Sequence, residues 1–348
     1  MNYTETHKRK VRGASVHQTI SEKKEEKPVK TRVKQKTREK KVYSTSSPGI
    51  SERHTVEENY LSPDVNNFIE ANDVNDTQNR IKLWLKTGYP VHLIGPTGCG
   101  KTSLAMHVAK EFDRPVVWIN GDESITTTDL IGGYSQIEQE SLRDQYVHNV
   151  FKSKDILKAD WVDNPLALAC KYGYTLVYNE FSRTKPAANN ILLSVFEEKI
   201  LELPTKFGED RYIKVHPEFR AILTSNSVEY AGVHRPQDAL LDRLVTIYMD
   251  YYSFDTEVSI VNAHTGVLQE DARKIVSVVR SLREKMHETQ KPGTRACIMI
   301  GQGLKALNGH GKMNFEQLCI DVMATKTRSS MELMEKQSFV KEAIAALA

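Results

Sequence analysis

The chain is 348 residues long, enough for two or three domains with sizeable cores, and it has no apolar run near the ~18 residues of a membrane span and no apolar signal-peptide core at its N-terminus. Its net charge of +3 hides an asymmetry, because residues 1–41 carry fourteen Lys/Arg and five Asp/Glu (+9) whereas the remainder carries 34 basic and 40 acidic residues (−6). Four cysteines, at 99, 170, 297 and 319, show no C-x-x-C spacing and read as reduced thiols of a cytoplasmic protein.

Residues 1–56 form a basic tail too poor in apolar periodicity to bury surface, and the expectation is a disordered extension. An electrostatic arm for an acidic partner is the functional alternative; without interleaved aromatics, nucleic acid is not expected. In the entry segment 57–72, Ser62-Pro63-Asp64 resembles a helix start with Val65, Phe68 and Ile69 on one face, and Arg80–Lys86 continues helically. Pro90–Gly95 is a short apolar strand. Leu104, Ala105, Val108, Ala109 and Phe112 then mark a helix over 102–112. Val116–Ile119 reads as a strand, Asp163–Gly173 as a helix with Pro165 in its first turn, Tyr174–Tyr178 as a strand and Lys185–Lys199 as a helix. Ile200–Pro204 and Arg211–Val215 read as two short strands around a turn, followed by strands at Arg220–Thr224 and Leu244–Met249. This alternation predicts an α/β domain over 57–253 with a mostly parallel sheet between helices and ligands at the carboxyl ends of the strands. From Phe254 the strand signal vanishes. Helices at 257–264, 269–287, 295–307, 315–325 and 331–347 predict a separate all-α domain over 254–348.

Between the first strand and helix lies Gly95-Pro96-Thr97-Gly98-Cys99-Gly100-Lys101-Thr102, a complete G-x-x-x-x-G-K-[ST] phosphate loop. Its glycines permit backbone angles that turn successive N–H groups inward around a phosphate. Lys101 can reach the outer phosphates, and the Thr102 hydroxyl can ligate Mg²⁺. Cys99 is a small side chain that the loop tolerates. Strand, glycine loop and helix together imply binding of a nucleoside triphosphate.

A second set of polar residues closes later strands. Asn179-Glu180 follows the run Leu176–Tyr178, where a P-loop ATPase places an Asp-Glu pair for metal placement and water activation. Asn179 keeps the size and an acceptor oxygen but removes a charge; Glu180 is the candidate base, or else a strand-end acid facing solvent. Asn226 can meet a γ-phosphate or water, or serve as a turn residue. Arg243 is either half of a surface ion pair, with Asp242, or a cation reaching a neighbouring subunit's nucleotide. Arg295, at a helix start, carries the same ambiguity.

Taken together, these positions occur in the order and approximate spacing of the AAA+ ATPases, and the segment at 200–215 with the Asp242-Arg243 ending resembles the MoxR branch. Trp118–Ser124, Thr128–Tyr134, Asn179–Asn190, His216–Asn226 and Glu229–His234 further resemble the gas vesicle GvpN family, across about residues 60–250. The resemblance implies an AAA+ P-loop domain with a C-terminal helical lid in a homo-oligomeric, hexameric ring using ATP and Mg²⁺. It implies that Lys101 and Thr102 hold phosphates and metal, with Asn179 acting on the metal through water. Glu180 would orient water, Asn226 sense the γ-phosphate, Arg243 act in trans and Arg295 couple the lid. It also implies action on gas vesicle shell or accessory proteins, in the cytoplasm or at the vesicle surface, in vesicle assembly or enlargement. Asn179 departs from the family's Asp. That leaves open an ATP-gated scaffold with little hydrolysis, and a CbbQ/NorQ-type enzyme activase is the other alternative.

Overall fold

The computed structural model describes residues 68–134, 138–143, 153–158, 161–204, 206, 211–227, 234–287, 291–307, 314–324, 327 and 329–346. The basic tail, the helix start at 62–64 and most of the 229–234 motif lie outside the described residues.

Helix α1 (Asn72–Lys86) leads into β1 (Val91–Gly95), which passes through the glycine loop into α2 (Lys101–Lys110). Then come β2 (Val116–Asn120), α3 (Thr127–Ile131), β3 (Gly132–Tyr134), β4 (Glu138–Arg143), β5 (Ser153–Lys158), β6 (Trp161–Asp163), α4 (Pro165–Tyr172) and β7 (Thr175–Asn179). Beyond a 3₁₀ turn at Phe181–Arg183 lie α5 (Pro186–Asn189), α6 (Ile191–Phe196), β8 (Ile200–Glu202), β9 (Tyr212–Lys214), β10 (Arg220–Asn226), α7 (Asp238–Leu241) and β11 (Val245–Tyr248). The rest is helical: α8 (Phe254–Thr265), α9 (Gln269–Lys285), α10 (Thr294–Leu307), α11 (Phe315–Ala324) and α12 (Ser330–Ala345).

Five strands pair in parallel in the order β11-β1-β10-β7-β2. Both faces of the sheet are covered, so its strands read as nearly continuous apolar runs. Period-two alternation sorts them onto two cores. Leu93, Val177 and Ile222 join the side filled by α1 and α2, where Ile81, Leu104 and Val108 are fully buried. Leu176, Tyr178, Ala221 and Leu223 face the other side, against Leu166 of α4 and Leu192 of α6. The parallel register brings four strand ends to one rim: Gly95 beside Asn226, and Asn120 beside Asn179.

The expected helix over 185–199 is two short helices with a break at Asn189–Asn190. The reason is local hydrogen bonding. Buried Asn189 Oδ1 lies 3.1 Å from the Tyr178 hydroxyl, and Asn189 Nδ2 donates to the Phe181 carbonyl at 3.1 Å. A side chain committed to neighbouring backbone competes with helix continuation. Phe68 and Ile69 are not helical, and the helical stretch expected at Arg80–Lys86 begins earlier, at Asn72. The two small antiparallel pairs β3–β6 and β4–β5 had no sequence forecast; β8–β9 did, and forms a hairpin. The helical region builds its own core, including Val261, Ile275, Val279, Leu282 and Ile300, all fully buried.

Candidate functional site

At the end of β1 the backbone enters the left-handed region at Gly98 (φ +81°) and Gly100 (φ +96°), a conformation glycine adopts without steric cost. Lys101, the first residue of α2, is buried, and its Nζ donates to the carbonyls of Gly95 (2.9 Å) and Pro96 (2.8 Å) and to Asn226 Oδ1 (3.1 Å). All three acceptors are neutral. The ion pairs among the described residues do not include Lys101, and burial pushes its ammonium below the ordinary value against the pull of Cys99 and Glu180 nearby. A buried cation with neutral partners, at the first residue of a helix, is the environment a phosphate would complete.

The neighbouring strand ends carry a hydrogen-bonded amide cluster. Asn179 Oδ1 accepts from the hydroxyls of Thr102 (2.7 Å) and Thr224 (2.9 Å), while its Nδ2 donates to Asn120 Oδ1 (2.7 Å). Thr102 is therefore oriented through Asn179, which would leave a hydroxyl lone pair for a hard cation such as Mg²⁺. Asn120 was not singled out from sequence, where an asparagine ending a strand reads as a turn residue. Its signal is the strand register that sets it opposite Asn179.

Glu180 sits next to the cluster with φ +49°, a conformation rare for a residue with a Cβ and found at functional sites. Its backbone N–H donates to Thr224 Oγ1 at 3.1 Å, and its carboxylate pairs with Arg183 at 3.0 Å. Close backbone approach fixes this corner, since a Cβ on Gly121 would lie 2.2 Å from the Glu180 carbonyl oxygen.

The helical region supplies the opposite wall. Thr294 N–H donates to the Gly98 carbonyl at 3.1 Å, and a Cβ on Gly293 would lie 2.6 Å from the Thr97 carbonyl oxygen, so this turn rests directly on the loop. Arg295 lies in the first turn of α10 beside Gly98. Between loop and helices is a cavity of about 170 Å³ lined by Phe68, Val74, Tyr252, Ile260, Ile298 and Arg295, among others. Phe68 stacks on His107 with ring centroids 3.8 Å apart. A mostly apolar slot of this kind suits a flat heterocycle next to a phosphate site. Apart from Arg295, these lining residues come from distant parts of the chain and carry no motif, so sequence reasoning did not assign them to the site.

Arg243 is not brought to the loop of its own chain. Its Nη2 pairs with Glu197, not Asp242, its Nη1 donates to the Ala239 carbonyl at 2.6 Å, and its Nε is buried without a partner. Thus Lys101, Thr102, Asn179, Glu180, Asn226 and Arg295 converge around one loop, and Arg243 stands apart.

Residues 90–244 match the family model for the AAA domain of the dynein-related subfamily. Over 98% of its length the chain is 51% identical to the gas vesicle ATPase GvpN1 of Halobacterium salinarum, covering 97% of that protein. It is 52% identical over 97% of its length to the gas vesicle ATPase GvpN of Haloferax mediterranei, covering 96% of that protein. Similarity to protein CbbQ of Hydrogenophilus thermoluteolus is lower, at 24% identity over 66% of this chain and 79% of that one. With an AAA+ P-loop fold and this similarity across nearly its whole length, the chain belongs to the GvpN family of gas vesicle ATPases.

Proposed function

We propose that the protein binds ATP at the Gly95–Thr102 loop, hydrolyses it, and uses the change to drive assembly or enlargement of gas vesicles by acting on a shell or accessory protein. The observation that carries the chemical part is the buried Lys101 ammonium, held by neutral acceptors only and joined to the strand-end cluster through Asn226. In this reading Lys101 and the loop amides bind the phosphates and Asn226 senses the terminal one. Thr102, oriented by Asn179, takes the metal. Mg²⁺, when bound, would supply charge neutralisation on the phosphate oxygens. Glu180 would orient the attacking water and accept its proton once its carboxylate leaves Arg183. The aromatic and aliphatic slot would hold the base.

Residues 254–348 would serve as a lid domain, with Arg295 carrying the state of the site to it. Arg243 points away from its own loop, which favours a role toward a neighbouring subunit in a ring, a hexamer in this reading. Loss of contacts to the terminal phosphate would then shift lid or neighbour, the usual way such sites convert hydrolysis into movement. In this reading the chain acts in the cytoplasm or at the vesicle surface. Similarity to gas vesicle ATPases over nearly the whole chain supports the vesicle role over an enzyme-activase role, for which the CbbQ similarity is shorter and lower.

A second reading has its own observation. Asn179 places a neutral amide where the metal would gain from a carboxylate, which suits a scaffold that binds ATP, assembles and turns over slowly. Mg²⁺-dependent phosphate release by the purified protein separates the two. Turnover abolished by Lys101→Ala supports the motor, and tight ATP binding with no turnover supports the scaffold. Disrupting the gene then tests the target: lost or shrunken vesicles are expected, and normal vesicles would refute the vesicle assignment.

A further inference from the structure

Glu257, in the first turn of α8, belongs to no motif and is the most deeply buried carboxylate among the described residues, with no exposed surface. It accepts a bidentate pair from Arg283, Nη1 at 2.8 Å and Nη2 at 2.6 Å, a further bond from Arg280 Nη1 at 3.0 Å and one from the Thr294 hydroxyl at 2.7 Å. Fork-to-fork geometry of this kind fixes direction as well as charge. A buried ion pair contributes little net stability compared with apolar packing, so its presence calls for another reason.

That reason lies in what the two arginines hold. Arg283 Nε donates to the Pro292 carbonyl at 2.6 Å, so the turn at 292–294 is gripped at its start by Arg283 and at its end by Glu257 through Thr294. The middle of that turn, Gly293, rests on Thr97 and Gly98. Arg280 Nη1 also donates to the Tyr252 carbonyl at 3.1 Å, and the Tyr252 ring would lie 3.2 Å from a Cβ on Gly100. Both left-handed glycines of the loop are therefore covered by backbone or ring that one carboxylate holds in place.

We infer that Glu257 is a positioning residue of the nucleotide site: through Arg283, Arg280 and Thr294 it presses Gly293 and Tyr252 onto the phosphate loop and preorganises that loop for phosphate. This rests on the reading of the loop as an ATP site. Without the clamp, part of the binding energy must be spent on ordering the loop, and apparent affinity falls by the fraction of molecules already ordered.

The test uses the full chain, a ribose-labelled fluorescent ATP analogue, and hydrogen exchange of peptides covering residues 95–101 and 291–299. Thr294→Val removes one hydroxyl and keeps the shape; it should weaken nucleotide binding about fivefold, in line with the net contribution of one ordinary hydrogen bond, with little change in kcat. Gly293→Ala should weaken it more than about tenfold, because its Cβ cannot fit against the Thr97 carbonyl. Glu257→Gln should do likewise where it folds, and Lys285→Ala, on the helix that carries Arg280 and Arg283, should change nothing, since it breaks only an exposed pair with Glu342 of α12. In nucleotide-free protein the 95–101 peptide should exchange faster in Thr294→Val than in wild type. Wild-type affinity and unchanged exchange in Thr294→Val and Gly293→Ala would overturn the inference. A wild type that fails to bind ATP would instead refute the nucleotide reading, and the exchange comparison would still decide whether Glu257 positions the loop.

Discussion

Replacing Asn179 by Asp adds one negative charge 2.7 Å from the Thr102 hydroxyl oxygen without changing the side chain's size. The structure sets the cost. Thr102 and Thr224 already donate to the Asn179 oxygen, and both bonds survive the exchange. Only the contact with Asn120 changes sign, since two acceptor oxygens would then meet. Asn120 is exposed and can turn its amide over to donate instead, so the substituted residue accepts three hydrogen bonds. Fold stability should change by less than about 1 kcal/mol, because the buried charge is solvated by these donors and lies near Lys101. The gain appears at the metal. Charge attraction at an effective dielectric near 20 is several kcal/mol gross, most of it cancelled by desolvation. Changes to groups that orient a metal ligand typically move affinity by about 10–100-fold, and the lower end is expected here because Thr102 is already oriented. A Mg²⁺ titration of phosphate release at fixed ATP should therefore show a half-saturating Mg²⁺ concentration about tenfold lower in Asn179→Asp. An unchanged midpoint would refute the assignment of Asn179 to the metal. A large loss of melting temperature would refute the hydrogen-bond accounting.

Gly98→Ala should abolish nucleotide binding in a fluorescence titration while leaving the far-ultraviolet circular dichroism intact, since φ is +81° and the new Cβ would lie 3.2 Å from Gly293 Cα. Arg243→Ala should lower the turnover rate with nucleotide affinity unchanged, and mixing it with Glu180→Gln protein should restore part of the turnover if the arginine serves a neighbour; failure of that complementation argues against action in trans. His92, buried between Ser225 and the Phe181 ring, has its pKa pushed down to about 4 by burial. The unfolded chain takes up that proton first, so stability is full above about 6.5 and declines as pH falls toward 4, by roughly 3 kcal/mol in total. Denaturant titrations at pH 7 and pH 4.5 should show a smaller difference in His92→Gln than in wild type.

Much of the sheet was legible because its strands are buried on both faces and read as continuous apolar runs between glycine, proline and helical periods, as at Pro90–Gly95 and Val116–Ile119. The helices of 254–345 were legible for a related reason: Gly and Pro at 292, 293, 309 and 311 punctuate long amphipathic stretches. What escaped was set by side chains far apart in sequence. The break at Asn189 depends on Tyr178, and the pairing of Trp161–Asp163 with Gly132–Tyr134 involves three residues a side with no alternation to read. At the site, the loop and the strand-end residues announced themselves through spacing, whereas Asn120 and the cavity lining did not. Their roles follow from register and from the approach of the helical region, neither of which a local pattern encodes. Glu257 is the extreme case, since its partners lie 23, 26 and 37 residues away.

The most direct test of the account is to measure ATP binding and phosphate release on the same preparations of wild type, Lys101→Ala and Glu180→Gln. The account predicts that wild type binds and turns over in a Mg²⁺-dependent manner, that Lys101→Ala does neither, and that Glu180→Gln binds as tightly as wild type while releasing phosphate at least about a hundredfold more slowly. Unimpaired turnover in Glu180→Gln, or unimpaired binding in Lys101→Ala, would contradict it.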